Sequence, residues 1–349
     1  MQSGNTMFFE SRPRIAATAA VAGPKECAGI IGRYVDLPLR DDTFGEDTFE
    51  RAERKMFLYA VRRSIEKANL PAPPDVLVSG DLLNQIISAS FTARETGLPF
   101  LGIYGACSTM SEALLLSGML IDGGYANSAV AATGSHFSSA ERQYRYPLEL
   151  GTTRPPQSQW TVTGAGSAVL TGSGGGPALT CGTVGKVIDF GVSDVNNMGA
   201  AMAPAAADTI RTHLRDTGRD ASYYDLILTG DLGVLGSRIV KDLLWEKGID
   251  ISANHTDCGE IIYDDAEDEF QGGSGAGCSA VVFNSYIYNL LRGGSAVEKV
   301  LLVATGALLS TVSSGQGESI PCIAHAVAIE RRPQEGPMPE NNATEAENG

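Results

Sequence analysis

The chain has 349 residues, a formal charge of −15, 43% hydrophobic and 19% charged residues, and 41 glycines. That length and core content suit two domains or one large fused fold. The acidic balance excludes nucleic acid as a partner, since a phosphate backbone needs a basic face, and it leaves no polybasic patch for anionic lipid.

No apolar run approaches the about 18 residues of a membrane-spanning helix. Arg12 and Arg14 precede Ile15–Ala22, an Ala-rich run closed by Gly23-Pro24. The run has the outline of a signal peptide, but it is short and lacks leucine, so it reads as a first buried strand. Asp75–Ser79 is a short apolar run suited to a buried parallel strand. A helix follows near Leu82–Glu95, stopped by Gly97 and Pro99. Phe100–Tyr104 reads as a strand, Ser108–Ile121 as a helix with Gly123-Gly124 past its end, and Ser128–Thr133 as a strand. This alternation predicts an α/β fold with a mostly parallel sheet and helices on its faces.

The pattern then comes round again. Asp75-Val76-Leu77-Val78-Ser79-Gly80-Asp81-Leu82 is echoed by Asp225-Leu226-Ile227-Leu228-Thr229-Gly230-Asp231-Leu232. Gly105-Ala106-Cys107-Ser108 is echoed by Ala276-Gly277-Cys278-Ser279, and Ala132-Thr133-Gly134 by Ala304-Thr305-Gly306. Three echoes in one order predict two similar halves. The seam falls in Gly172–Pro177, a Gly-rich turn. The resulting division is residues 1–175, residues 176–333 ending on a strand at Ile323–Ile329, and an acidic disordered tail at 334–349.

The six cysteines, Cys27, Cys107, Cys181, Cys258, Cys278 and Cys322, form no C-x-x-C pair and have no ligand spacing with histidine. Neither a disulfide framework nor a zinc site is expected, and a reducing compartment is the default. Cys107 is the most informative of them. A strand enters a turn of small residues and a helix begins at once, so Cys107 sits at a helix N-terminus, where free N–H groups favour a thiolate. It is either an exposed nucleophile or a small apolar filler. Asp81 and His136 also fall just past strands of the same half. In a parallel sheet the carboxyl ends share one edge, where ligands bind. Asp81, Cys107 and His136 therefore form a candidate pocket, although Asp81 reads equally as a helix cap and His136 as a loop residue. Arg142 and Arg145 follow closely, and at least one of them reads as solvated. His213 reads as a surface residue of an amphipathic helix, His255 as a polar-loop residue, and His325 as packed in the last strand. Gly272–Gly277 lacks the Lys-Ser/Thr of a phosphate loop and reads as a tight turn into a packed helix.

Together with the duplicated halves, the cysteine turn and Val162-Thr163-Gly164-Ala165-Gly166-Ser167-Ala168-Val169-Leu170 resemble the thiolase and β-ketoacyl-synthase superfamily. Ser314–Gly317 and Val327–Glu330 resemble its final Gly-rich turn and strand. The resemblance implies a thiolase-like fold, α-β-α-β-α in layers, built from two pseudo-duplicated halves. A closer resemblance is to the sporulation stage V protein AD family. It is carried by Ser79–Gln85, Gly105–Thr109, Ala132–Ser138, Arg154–Gln157, Trp160–Gly164 and Ile188–Gly191.

The departures from active condensing enzymes matter. Those enzymes need a second-half histidine and a further His, Asn or Cys facing the nucleophile. Here the segments resembling those stretches read Glu269-Phe270-Gln271-Gly272-Gly273 and Leu228-Thr229-Gly230-Asp231, and the last turn, Val312–Gly315, has no cysteine. A lone thiol cannot stabilise an enolate and its oxyanion and also move protons. The resemblance therefore implies a non-enzymatic role: binding dipicolinic acid, pyridine-2,6-dicarboxylate, for uptake into the developing spore and release on germination. A Cys107-dependent acyl or ketoacyl transferase is the second reading.

The ligand-binding set expected on the resemblance is Asp81, Cys107, Ser108, Thr109, His136 and Arg142. Asp81 either orients His136 or shares a calcium ion carried with the ligand, and no other cofactor is expected. The implied partners are membrane proteins of the same sporulation system. They would hold a soluble protein peripherally at the inner spore membrane; thiolase relatives often dimerise, so the resemblance leaves a homodimer open as a further partner.

Overall fold

The structure is a computed structural model that describes residues 2–145, 148–151, 153–263 and 270–331. The expected acidic tail at 334–349 lies outside the described residues, as does Glu269.

Ten strands form the body. The first half supplies β1 (Arg14–Ala22), β2 (Val76–Asp81), β3 (Phe100–Gly102), β4 (Ser128–Ser135) and β5 (Gly164–Thr171). The second supplies β6 (Ala178–Thr183), β7 (Leu226–Thr229), β8 (His255–Asp257), β9 (Lys299–Ala307) and β10 (Cys322–Glu330). The spatial order is β1-β5-β4-β2-β3 in one half and β6-β10-β9-β7-β8 in the other. In both, the first two neighbouring pairs are antiparallel and the next two parallel. Matching order and matching sense establish the duplication that the echoes predict. The echoed strands, β2 and β7, hold equivalent places. The Gly172–Pro177 turn joins β5 to β6, and β1 meets β6 at Arg14↔Ala178.

Helices complete five layers. The first outer layer is α1 (Phe49–Ala68) and α2 (Ile87–Thr96). The middle layer is α3 (Thr109–Asp122), which touches strands of both halves, with the helix beginning at Ala276. The second outer layer is α5 (Met198–Thr217) with α6 (Gly233–Trp245), and a short α4 (Phe137–Tyr144) follows β4. The middle layer holds the largest core cluster. Met110, Leu114 and Leu115 of α3 are fully enclosed there beside Val300, Leu302 and Val327. Burying each such side chain contributes about 1.5–3 kcal/mol. The echo of the cysteine turn is also explained: each copy leads into a middle-layer helix.

Two expectations are corrected. The helix after β2 begins at Ile87, not near Leu82, because Gln85 and Ile86 adopt left-handed backbone (φ 59° and 49°) and a 3-10 turn intervenes. His213 is fully buried rather than on the surface. Its ring bridges Thr183 Oγ1 (2.7 Å) and the Tyr224 hydroxyl (2.5 Å), and burial pushes it down to about 3.

Candidate functional site

The turn carrying Cys107 is built by local hydrogen bonds. Ala106 takes a left-handed conformation (φ 50°), which non-glycine residues rarely adopt. Ser108 Oγ donates to Gly105 O (2.7 Å) and Thr109 Oγ1 to Ala106 O (2.6 Å), locking the turn as α3 begins. Gly306 of β9 presses on it from the other half: a Cβ there would lie 2.1 Å from Gly105 O. The first half's turn is thus held by the second half's sheet.

Cys107 borders a narrow cavity, partly open to solvent, with about 500 Å³ of empty space only when its open mouth is counted. The wall is mostly apolar and aromatic: Leu82, Tyr104, Ala140 and Tyr144 from the first half, Met198, Met202, Ala307 and Leu309 from the second. Thr161, Ser274 and Gly275 add polar edges. Among the described lining residues Arg145 is the one charged side chain. It pairs with Glu141 one helical turn earlier, and its Nε donates to Val195 O (3.4 Å). Glu141 is buried, accepts from Thr161 Oγ1 (2.9 Å) and faces Arg154 as well (3.4 Å). The Tyr144 hydroxyl donates to Leu82 O and meets the Tyr104 hydroxyl at 3.2 Å.

The thiolate expected at Cys107 is corrected. Burial pushes this thiol well above its ordinary range, and the Asp231 carboxylate beside it pushes further in the same direction. The Gly275 N–H and Arg145 pull the other way and lose. Asp231 is itself buried. It accepts from Thr305 Oγ1 (2.7 Å), Ser274 Oγ (3.0 Å) and Gly275 N (3.1 Å), and burial raises it to about 7. Asp231 is the last polar residue of the repeated strand motif, and sequence reasoning did not select it. The signal was there, because the segment where condensing enzymes carry histidine reads Thr229-Gly230-Asp231.

Of the six residues expected to bind ligand, Cys107 alone lines the cavity. Asp81 is fully buried, and its carboxylate accepts from Leu83 N (2.9 Å) and Ala89 N (2.8 Å) rather than orienting His136. Burial lifts it to about 6, beside the buried Glu53. His136 is turned toward α1. Nδ1 accepts from Ser138 N (3.1 Å), so Nε2 carries the proton and donates to Asp42 O (2.7 Å); burial lowers the ring's pKa. Ser108 and Thr109 spend their hydroxyls on the turn. Arg142 pairs with Glu50 at the surface, while Arg145 faces the cavity, so the two arginines divide the roles. The predicted convergence of Asp81, Cys107 and His136 is therefore replaced by support at one remove. Asp81 fixes the turn after β2, where Leu82 lines the wall. His136 caps α4, which carries Ala140 and Tyr144 and leads directly into Arg145.

His255 begins strand β8 rather than lying in a loop and contacts Thr229 Oγ1 (3.0 Å), and His325 accepts from Gly185 N (3.3 Å). Among the described residues, no histidine borders the cavity, no group of three or more His, Cys, Asp or Glu is placed to hold a metal ion, and no helix is long and apolar enough to cross a membrane.

Residues 3–330 match the family model of stage V sporulation protein AD. The chain is 46% identical over 327 residues to the stage V sporulation protein AD of Bacillus subtilis strain 168, covering 93% of this chain and 96% of that one. The chain belongs to the stage V sporulation protein AD family. Solved structures show the fold. The 3-oxoacyl-[acyl-carrier-protein] synthase III of Aquifex aeolicus aligns at TM-score 0.56 with 14% identity, over 91% of this chain and 99% of that one. Xanthomonas campestris OleA aligns at TM-score 0.56 with 14% identity, over 93% and 99%. AbyA1, a tetronic acid condensing enzyme, aligns at TM-score 0.57 with 16% identity, over 91% and 99%. This member of the family thus keeps the thiolase-like fold, and at the cysteine turn it sets a carboxylate against the thiol.

Proposed function

We propose that the Cys107 cavity binds dipicolinic acid without catalysis, for its uptake into the developing spore and its release on germination. The observation that carries this reading is one buried guanidinium, Arg145, set into an aromatic and apolar wall beside a protonated thiol. Dipicolinate is flat, aromatic and doubly anionic near neutral pH. Its ring suits the wall of Leu82, Tyr144 and Met202. One carboxylate suits Arg145, since charge-assisted bonds to a guanidinium are the strong ones. Tyr104 and Cys107 complete that wall, their own protons turned to Tyr144 and Asp231. Asp81, Ser108, Thr109 and His136 act behind the wall by holding its backbone. Arg142 stays at the surface. Membrane proteins of the same sporulation system bring the protein to the inner spore membrane, because a chain of charge −15 has no attraction of its own for anionic lipid.

Calorimetry with dipicolinate, phthalate and isophthalate, each with and without calcium, tests the reading. One dipicolinate per chain and much weaker phthalate binding support it. Isophthalate reports the part played by the ring nitrogen, and the calcium arm separates free acid from chelate. No dipicolinate binding at millimolar concentration, or equal binding of all three acids, overturns it.

A homodimer through β3 is part of the proposal. This short strand ends the sheet; Leu101 on it, Tyr104 just past its end and Ile87 at the start of α2 are exposed at 48%, 45% and 39%. An unpaired apolar edge favours pairing with a second copy across a two-fold axis. Sedimentation should show a dimer that Leu101→Glu converts to monomer. A parent chain that stays monomeric at high micromolar concentration removes this part.

A further inference from the structure

We infer that Asp231 is a positioning residue that, together with burial, holds Cys107 as an inert thiol, so that one carboxylate from the second half helps to silence a turn otherwise shaped to expose a nucleophile. The geometry around Cys107 is that of an activated cysteine. It follows a left-handed Ala106, stands at the start of α3, and faces the Gly275 N–H and Arg145. The helix start, the N–H and the guanidinium each favour a thiolate. Against them stands a carboxylate that is 1% exposed and tied down by Thr305 Oγ1, Ser274 Oγ and Gly275 N. Those three partners come from β9 and from the turn before the helix at Ala276, so Asp231 cannot swing away. Above about pH 7, where Asp231 is ionised, its negative charge at the thiol disfavours the charged form, and a thiol proton directed at that carboxylate is the arrangement left. The Gly275 N–H serves Asp231 and Cys107 at once, so the carboxylate also diverts a donor that a thiolate would use.

The other titratable groups facing this pair do not reverse the effect. Asp257, Cys258 and Cys322 face Asp231, Cys278 faces both, and Tyr104 and Tyr144 face Cys107. Arg145 is the opposing cation.

Thiol reactivity at Cys107 is independent of ligand binding, so the test contains no dipicolinate. The rate of iodoacetamide labelling at Cys107 is followed by peptide mass spectrometry from pH 6 to 10 in the full chain, in Asp231→Asn and in Asp231→Ser. Removing one adjacent charge should move the pH midpoint down by one to two units and speed labelling at pH 8 by about 10- to 100-fold. A purely structural role for Asp231 would not shift that midpoint. Variants that keep the parent's circular dichroism and melting profile, yet label with the parent's midpoint and rate, overturn the inference. So does a parent chain whose Cys107 reacts at pH 8 as fast as free cysteine, and this second result needs no variant to fold.

Discussion

Replacing Arg145 by glutamine should weaken dipicolinate binding by about 10- to 150-fold, the equivalent of losing one charge-assisted hydrogen bond of about 1.5–3 kcal/mol. Arg145 is the one charged side chain among the described residues of the cavity wall, and its side chain is only 8% exposed. A carboxylate entering an apolar cleft gives up water and must be repaid by a partner already in place. The guanidinium is held for that purpose by Glu141 and by Val195 O. Arg142 is the internal control. It lies three residues earlier, carries the same charge, and spends it on Glu50 at the surface. Arg142→Gln should change affinity less than about twofold, since exposed ion pairs contribute little. The melting temperature of each variant checks folding, because Arg145→Gln also takes a partner from Glu141. Equal losses in the two variants, or none in either, would place the anion elsewhere.

The fold was legible because its signals are local and repeated. Short apolar runs bounded by glycine gave β2 and β4, and the Gly172–Pro177 seam marked the crossing between halves. The echo Asp75–Leu82 and Asp225–Leu232 gave the duplication that the strand order shows. Cys107 was legible for the same reason: strand, small-residue turn and helix follow one another directly.

The rest of the site was not, because it depends on which way a side chain leaves a shared edge. Asp81 and Asp231 end the same motif. Asp81 turns toward the backbone of its own half, at Leu83 and Ala89, and Asp231 turns inward to Thr305 and Ser274. Sequence alone gives the register of these residues and not that choice. The same holds at the end of α4. Arg142 and Arg145 sit three apart, and only packing against Glu141 and Val195 decides that Arg145 faces the cavity. His136 was placed at the correct strand end, but its ring serves Ser138 and Asp42, tying down the helix that carries the site.

Gly306→Ala should cost about 3 kcal/mol or more of folding stability, at or above the upper end for overpacking in a close-packed interior. A Cβ at this position would stand 2.1 Å from Gly105 O, 3.1 Å from Ser108 N and 3.2 Å from Gly105 C. All three are backbone atoms, so no rotamer change relieves the clash. Gly306 belongs to β9, paired through Ile323 to β10, and Gly105 belongs to the turn before α3. Relief must therefore come from parting the two halves or from shifting the turn. Either movement displaces Cys107, two residues beyond Gly105, so ligand affinity should fall together with stability. Gly315→Ala is the matching control. A Cβ there meets nothing within 4 Å, and the change should stay within about 0.5 kcal/mol. Urea unfolding of the three chains, with dipicolinate titration of the folded ones, measures both effects. A Gly306→Ala chain with the parent's urea midpoint and affinity would show that the halves do not clamp the cysteine turn at this point.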